Sequence, residues 1–220
     1  MGACSDAPTA VESGETTQFR AGWHASCGPV PDRMTLQTVL AVHAAGDPRH
    51  PEGSGQLFDW LGQELGSAYR VLAPTMPEPD EPHYRPWRGR IEQELGSIQG
   101  GAILFGHSFG GSVLVKYLAE GSVPVAVRGL FLASVPFWAP GGWEYEEYDL
   151  PDDFAEHLPQ APIFLYHSRD DPEVPFAHMA LYAAKLPQAT VRPIEGAEHS
   201  FTGGLPQLVT DIRATAVRPQ

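Results

Sequence analysis

Ala102-Ile103-Leu104-Phe105-Gly106-His107-Ser108-Phe109-Gly110-Gly111-Ser112-Val113-Leu114-Val115-Lys116-Tyr117-Leu118-Ala119-Glu120 decides how the chain folds. Its first four residues are a short apolar run of the buried-strand type. Ser112 to Glu120 has helical character and stops at Gly121. Between them, Gly106-His107-Ser108-Phe109-Gly110 fits G-x-S-x-G, the pattern of a sharp strand-to-helix turn that exposes a serine. Such a turn forces the serine into an unfavourable backbone conformation and pushes its hydroxyl outward. A Cβ two residues before or after it would collide with the neighbouring strand or helix, so glycine is required at both places. The helix N-terminus beneath offers free N–H groups to a developing negative charge. With 23 glycines in 220 residues, a chance match to the pattern is expected roughly 0.1 times per chain. The flanking strand and helix therefore carry the reading.

Working outward, strands and helices alternate. Leu36 to Val42 reads as the first strand, followed by the turn-rich loop His43-Ala44-Ala45-Gly46-Asp47-Pro48. Phe58 to Leu65 reads as a helix and Tyr69 to Ala73 as a second strand. Pro74 to Pro86 is expected to be an extended loop, because it is dense in proline. Trp87, Ile91, Leu95 and Ile98 share one helix face. Beyond the central turn come strands at Gly129–Ser134 and Pro162–His167, a helix at Phe176–Leu186, an edge strand at Thr190–Arg192 and a last helix at Leu205–Val217. This alternation predicts an α/β fold with a mainly parallel sheet covered on both faces. Residues 34–220 read as one domain. Residues 1–33 lack a sustained period and read as a disordered tail. Residues 135–160 hold Phe137, Trp138, Trp143, Tyr145 and Tyr148 among acidic residues, and read either as a short cap or as an ordinary surface excursion whose rings only pack.

Composition narrows the function. The formal net charge is −13, from 27 acidic and 14 basic residues, which argues against nucleic acid and anionic membrane surfaces as partners. No apolar run approaches the roughly 18 residues of a membrane span. The start, Met1-Gly2-Ala3-Cys4-Ser5-Asp6, lacks a secretory pattern, and Asp6 breaks the myristoylation pattern. Cys4 and Cys27 form no C-x-x-C. A cytoplasmic protein is expected, with no protein partner indicated. H-E-x-x-H, G-x-G-x-x-G and the P-loop pattern are all missing, so neither metal nor cofactor is expected.

An activated serine needs a base and a group that orients the base. Both follow Ser108 in the order Ser, Asp, His. Ser168-Arg169-Asp170-Asp171-Pro172-Glu173-Val174-Pro175 comes at a strand end, where a carboxylate faces the same edge as Ser108. The D-x-x-V-P register favours Asp171, and Asp170 suits a turn-capping role. His199 stands in the loop Glu195-Gly196-Ala197-Glu198-His199-Ser200-Phe201 after the edge strand and is the candidate base, with Glu198 beside it. His107 reads as a supporting neighbour, and His167 and His178 as core or surface residues. Two backbone N–H groups would hold an oxyanion: Phe109, after the serine, and Ala45 in the first-strand loop, with Ala44 the alternative.

With these residues placed, Leu36 to Val217 resembles an α/β-hydrolase. Within that superfamily it is similar to the small branch of retinoblastoma-binding serine hydrolases and their bacterial relatives. The carrying stretches are Met76-Pro77-Glu78-Pro79-Asp80-Glu81-Pro82 with Trp87, Gly106 to Gly111, His167-Ser168-Arg169-Asp170-Asp171, and His199-Ser200-Phe201. The resemblance implies a three-layer fold and a Ser108–Asp171–His199 triad. One departure stands out: His43-Ala44 occupies the place where many hydrolases have His-Gly. The expected activity is hydrolysis of small esters, thioesters or amides through an acyl-enzyme. The competing readings are an interaction protein that kept the scaffold without turnover, and an aminopeptidase-like hydrolase using the acidic stretch Glu144–Asp153. Met34 stands directly before the first strand and is expected to be the native start. N-terminal sequencing of protein made from the native gene checks this; a chain beginning at residue 1 overturns it.

Overall fold

Val39 and Ala41 belong to one apolar cluster and Leu40 and Val42 to another, and all four are fully buried. That alternation within one strand means both sheet faces are covered. The computed structural model describes residues 36–121 and 123–216, so the expected tail at 1–33 and Met34 lie outside the described residues. Strands β1 (Gln37–Val42), β2 (Tyr69–Leu72), β3 (Gly101–His107), β4 (Ala126–Ala133), β5 (Ile163–Ser168) and β6 (Thr190–Ile194) form one sheet in the order β2-β1-β3-β4-β5-β6. Every pairing in it is parallel. β3, central and buried along its whole length, is the strand that carries the site.

One face is covered by α1 (Gly55–Leu65) and α6 (Pro206–Ala216), whose Leu57, Leu61, Leu208 and Ile212 pack on Val39, Ile103, Phe105 and Phe131. The other is covered by α2 (Tyr84–Gly96), α3 (Phe109–Ala119) and α5 (Ala177–Lys185), through Trp87, Ile91, Leu114 and Tyr182. A one-turn helix, α4 (Phe154–His157), packs Phe154 into this second layer. The result is the expected three-layer α/β fold. Among the described residues no helix is long and apolar enough to cross a membrane.

Two local features depart from the sequence expectation. The Pro74–Pro86 stretch is not extended throughout, since α2 begins at Tyr84. Pro86 falls in the first helical turn, where an N–H has no intrahelical acceptor, so proline costs nothing there. Strand β6 runs on through Pro193 to Ile194. As an edge strand it has a single neighbour, which makes proline tolerable.

The turn after β3 is built by close approach. A Cβ on Gly106 would lie 2.8 Å from the Gly111 nitrogen, and one on Gly110 would lie 2.7 Å from the Val42 carbonyl carbon. Both obstacles are backbone and cannot swing aside. Gly110→Ala is therefore expected to destabilise the protein by about 3 kcal/mol or more. Gly89→Ala, on the exposed surface of α2 with nothing near its Cβ, should stabilise by about 0.5–1 kcal/mol. Urea unfolding of the two variants checks the contrast.

Candidate active site

β1 and β3 are neighbours, but the chain leaves them in opposite directions. β1 leads to α1 on one face and β3 leads directly to α3 on the other. The strand order reverses here, which opens a crevice at the carboxyl ends of the two strands. Ser108 sits at its base with φ 52° and ψ −128°, a conformation that side chains rarely adopt. Its N–H donates to the Ala133 carbonyl (2.8 Å), and its own carbonyl accepts from Gly111 N–H (2.9 Å). The residue is 8% exposed. Phe109 N–H has no partner among the described residues.

The first-strand loop supplies the opposite wall. His43 is buried; its Nδ1–H donates to the Ala44 carbonyl (2.5 Å) and its Nε2 accepts from Met76 N–H (2.9 Å). Burial depresses its pKa, with the Ala44 hydrogen bond and nearby Asp47 opposing. Trp87 packs edge-on against His43 at 5.1 Å and donates its Nε1–H to the Pro77 carbonyl (2.7 Å). The proline-rich stretch is thereby fastened to the end of β1. Ala44 N–H donates to Ser54 Oγ (2.8 Å), so it is not available as an oxyanion donor. Ala45 N–H has no partner among the described residues.

On the far side, Asp171 and His199 meet. His199 Nδ1 lies 2.9 and 3.0 Å from the two Asp171 oxygens. Asp171 has a fully buried side chain. Burial pushes its pKa up, but hydrogen bonds from His167, His199 and Val174 N–H outweigh it and hold the carboxyl well below the usual carboxylate range. A neutral His199 that donates from Nδ1 keeps its lone pair on Nε2. That nitrogen is buried and without a hydrogen-bond partner among the described residues, so Ser108 and His199 are not in hydrogen-bond contact here.

Several neighbours differ from expectation. His167 is no bystander: its Nε2 lies 3.2 Å from Asp171 Oδ2 and 2.9 Å from the Val174 carbonyl. The sequence signal was its place four residues before the aspartate, at a strand end. Asp170 turns away and accepts from Ser168 Oγ (2.5 Å) and Glu198 N–H (3.3 Å). On the Nε2 side of His199 stands Glu173, with Oε2 3.6 Å away.

His107 was read as a supporter, and the structure shows what it supports. Its Nδ1 accepts from Ser54 Oγ (2.8 Å), and its Nε2–H donates to the His199 carbonyl (2.8 Å). Ser54 escaped the sequence reading altogether. Its signal was the Gly53-Ser54-Gly55 triplet: a Cβ on either glycine would strike the Pro48 carbonyl. Burial pushes His107 down to about 3, helped by His199 and opposed by its bond to the His199 carbonyl.

Residues 135–160 are tied down at several points. Tyr148 packs edge-on against Phe109 (4.8 Å) and donates its hydroxyl to the Pro82 carbonyl (2.5 Å). Glu147 accepts from Tyr84 N–H (2.7 Å) and contacts His83 (3.1 Å), while Trp143 meets His178 (5.2 Å). The segment thus reaches from α2 to α5 across α3. Among the described residues, no group of three or more His, Cys, Asp or Glu side chains is placed to hold a metal ion.

Residues 52–201 match the model of a family described as serine hydrolase. No curated protein matches the chain. Among solved structures, the ydeN gene product of B. subtilis is similar with a TM-score of 0.69 and 18% identity, over 83% of this chain and 100% of that one. A serine hydrolase involved in carbazole degradation, CarC, is similar with a TM-score of 0.65 and 15% identity, over 83% and 92%. Est1E from Butyrivibrio proteoclasticus is similar with a TM-score of 0.62 and 13% identity, over 86% and 92%. At these identities the likeness is one of fold.

The neutral state of His107 has a consequence for stability. Between its ordinary value of 6.5 and about 3, the unfolded chain binds a proton that the folded chain refuses. The stability it contributes is fully present above pH 6.5 and is lost as pH falls through that window. The loss from this group should be on the order of 2 kcal/mol by about pH 5. Denaturant unfolding at several pH values checks this: His107→Gln should show a shallower dependence, and an unchanged slope would refute the assignment.

Proposed function

Because the chain belongs to the serine hydrolase family, we propose that Ser108, His199 and Asp171 are its catalytic residues and that small esters, thioesters or amides are its substrates. The observation that carries the reading is His199, gripped at Nδ1 by a buried, ionised Asp171 while Nε2 is left without a partner. That is how a general base is kept in its proton-accepting tautomer.

Ser108 Oγ bonds to the substrate carbonyl carbon as its proton passes to His199 Nε2. The carbonyl oxygen becomes an oxyanion, received by the N–H groups of Phe109 and Ala45. Each such donor typically contributes about 3 kcal/mol to the transition state. The choice of Ala45 over Ala44 rests on the Ala44 N–H being spent on Ser54. Collapse breaks the bond to the leaving group, which takes the proton from Nε2. Water then attacks the acyl-enzyme with His199 as base, the Oγ–carbon bond breaks, and the acid departs as Ser108 recovers its proton. Asp171 stays ionised throughout and holds the imidazolium.

Ser108→Ala should lower turnover of a p-nitrophenyl acyl ester by roughly a million-fold, and Asp171→Asn by about ten-thousand-fold. A fluorophosphonate should label the wild type at Ser108 and leave Ser108→Ala unlabelled. A Ser108→Ala enzyme with most of its activity would overturn the assignment. A wild type that does not react with the probe would favour an interaction protein on this scaffold.

A further inference from the structure

Acidic residues line a cleft beside His199. A cleft of about 310 Å³, at the lower end of the range for small-molecule sites, runs from Ala45 to His199 and is lined by Asp47, Glu52, Asp80 and Glu173, with His50 beside them. No lysine or arginine lines it among the described residues. Arg49 pairs with Asp47 (3.4 Å), but no lysine or arginine pairs with Glu52, Asp80 or Glu173 among the described residues. The acidic stretch Glu144–Asp153 does not line this cleft. Its Glu147 and Asp149 are occupied by backbone N–H groups, at Tyr84 and Tyr145.

A second observation points to a ligand. His199 is 4% exposed, it lines this cleft, and its Nε2 has no hydrogen-bond partner among the described residues. Nε2 stands 3.6 Å from Glu173 Oε2. In the reaction above, the leaving group takes its proton from Nε2, so it occupies the cleft beside Glu173 while the bond to carbon breaks. Carboxylates clustered there attract a positive charge and repel a negative one.

We propose that the protein prefers esters whose leaving alcohol carries a fixed or protonated amine, an amino-alcohol ester, with the cation held by Glu52, Asp80 and Glu173. This rests on the triad reading. The carbonyl carbon exchanges its bond to the alcohol oxygen for one to Ser108 Oγ, and His199 Nε2 supplies the alcohol's proton. The ammonium is a spectator bound by charge.

The test is a matched pair: butyrylcholine against its uncharged isostere, in which a tert-butyl group replaces the trimethylammonium. The kcat/KM ratio is divided by the ratio of the two alkaline hydrolysis rates, which removes the intrinsic reactivity difference. The corrected ratio should favour the choline ester roughly tenfold at low ionic strength and shrink toward unity at about 1 M salt. The double variant Glu52→Gln/Asp80→Asn should bring it close to unity at low salt. A corrected ratio near one in the wild type, with the neutral ester turned over and Ser108 labelled by fluorophosphonate, overturns this inference and leaves the triad intact. So does a preference that appears only when the cation is moved to the acyl side, as in glycine betaine ethyl ester against its tert-butyl isostere. Absence of both turnover and labelling overturns the two together.

Discussion

A buried chain of hydrogen bonds holds the site's three loops in register. It runs from Ala44 N–H to Ser54 Oγ, from Ser54 to His107 Nδ1, and from His107 Nε2–H to the His199 carbonyl. The loop after β1, the turn after β3 and the loop after β6 are far apart in sequence, and this chain joins them. In the direction drawn here it needs a neutral His107, whose Nδ1 lone pair takes the Ser54 hydroxyl. Burial supplies that condition. A histidine two residues before α3 thus fixes where the His199 backbone sits.

The His199 loop also carries strain that the surrounding packing must hold. Glu198 and Phe201 both have positive φ, at 51° and 49°, and a bulky side chain in that region costs on the order of 1–3 kcal/mol. Phe201 is fully buried against Leu205, Leu208 and the His107 ring, which offsets the cost. Ser168 Oγ accepts Ala197 N–H (3.1 Å) and Ser200 Oγ donates to the Glu52 carbonyl (2.7 Å). The loop is fastened on both sides of His199, so the imidazole is aimed by its backbone as much as by Asp171.

What was legible in the sequence is what local chemistry dictates. The G-x-S-x-G turn announces itself because two glycines are demanded by backbone contacts within and beside it. The alternating strands and helices are legible because both sheet faces need apolar cover. The D-x-x-V-P register separates Asp171 from Asp170 because the loop folds on itself, with Asp171 Oδ1 accepting Val174 N–H (2.9 Å). Ser54 and His167 were not legible in the same way. Their partners lie across the fold or across a turn of unknown shape, and a lone serine or histidine carries no period. Glu173 was not legible either, since only the fold of the loop after β5 brings it to His199 Nε2. The start of α2 was missed because proline density was read as a bar to helix, although the first turn tolerates proline.

The strand order has a consequence for how the protein is made. β3 needs β1, already synthesised, and β4, not yet synthesised, and Thr38 of β1 must find Ala102 across all of α1, β2 and α2. Parallel pairing of this kind is slow, since its chain entropy is lost before contacts repay it. The last strand and helix then close the sheet: Asp211 on α6 takes the Tyr166 hydroxyl (2.8 Å) and the Arg192 guanidinium (2.9 and 3.1 Å). Because His199 lies between β6 and α6, a ribosome-bound chain carries Ser108 long before it carries His199. Until the last helix emerges, Phe201 lacks the Leu205 and Leu208 it packs against, so a nascent or C-terminally truncated chain cannot hold His199 on Asp171.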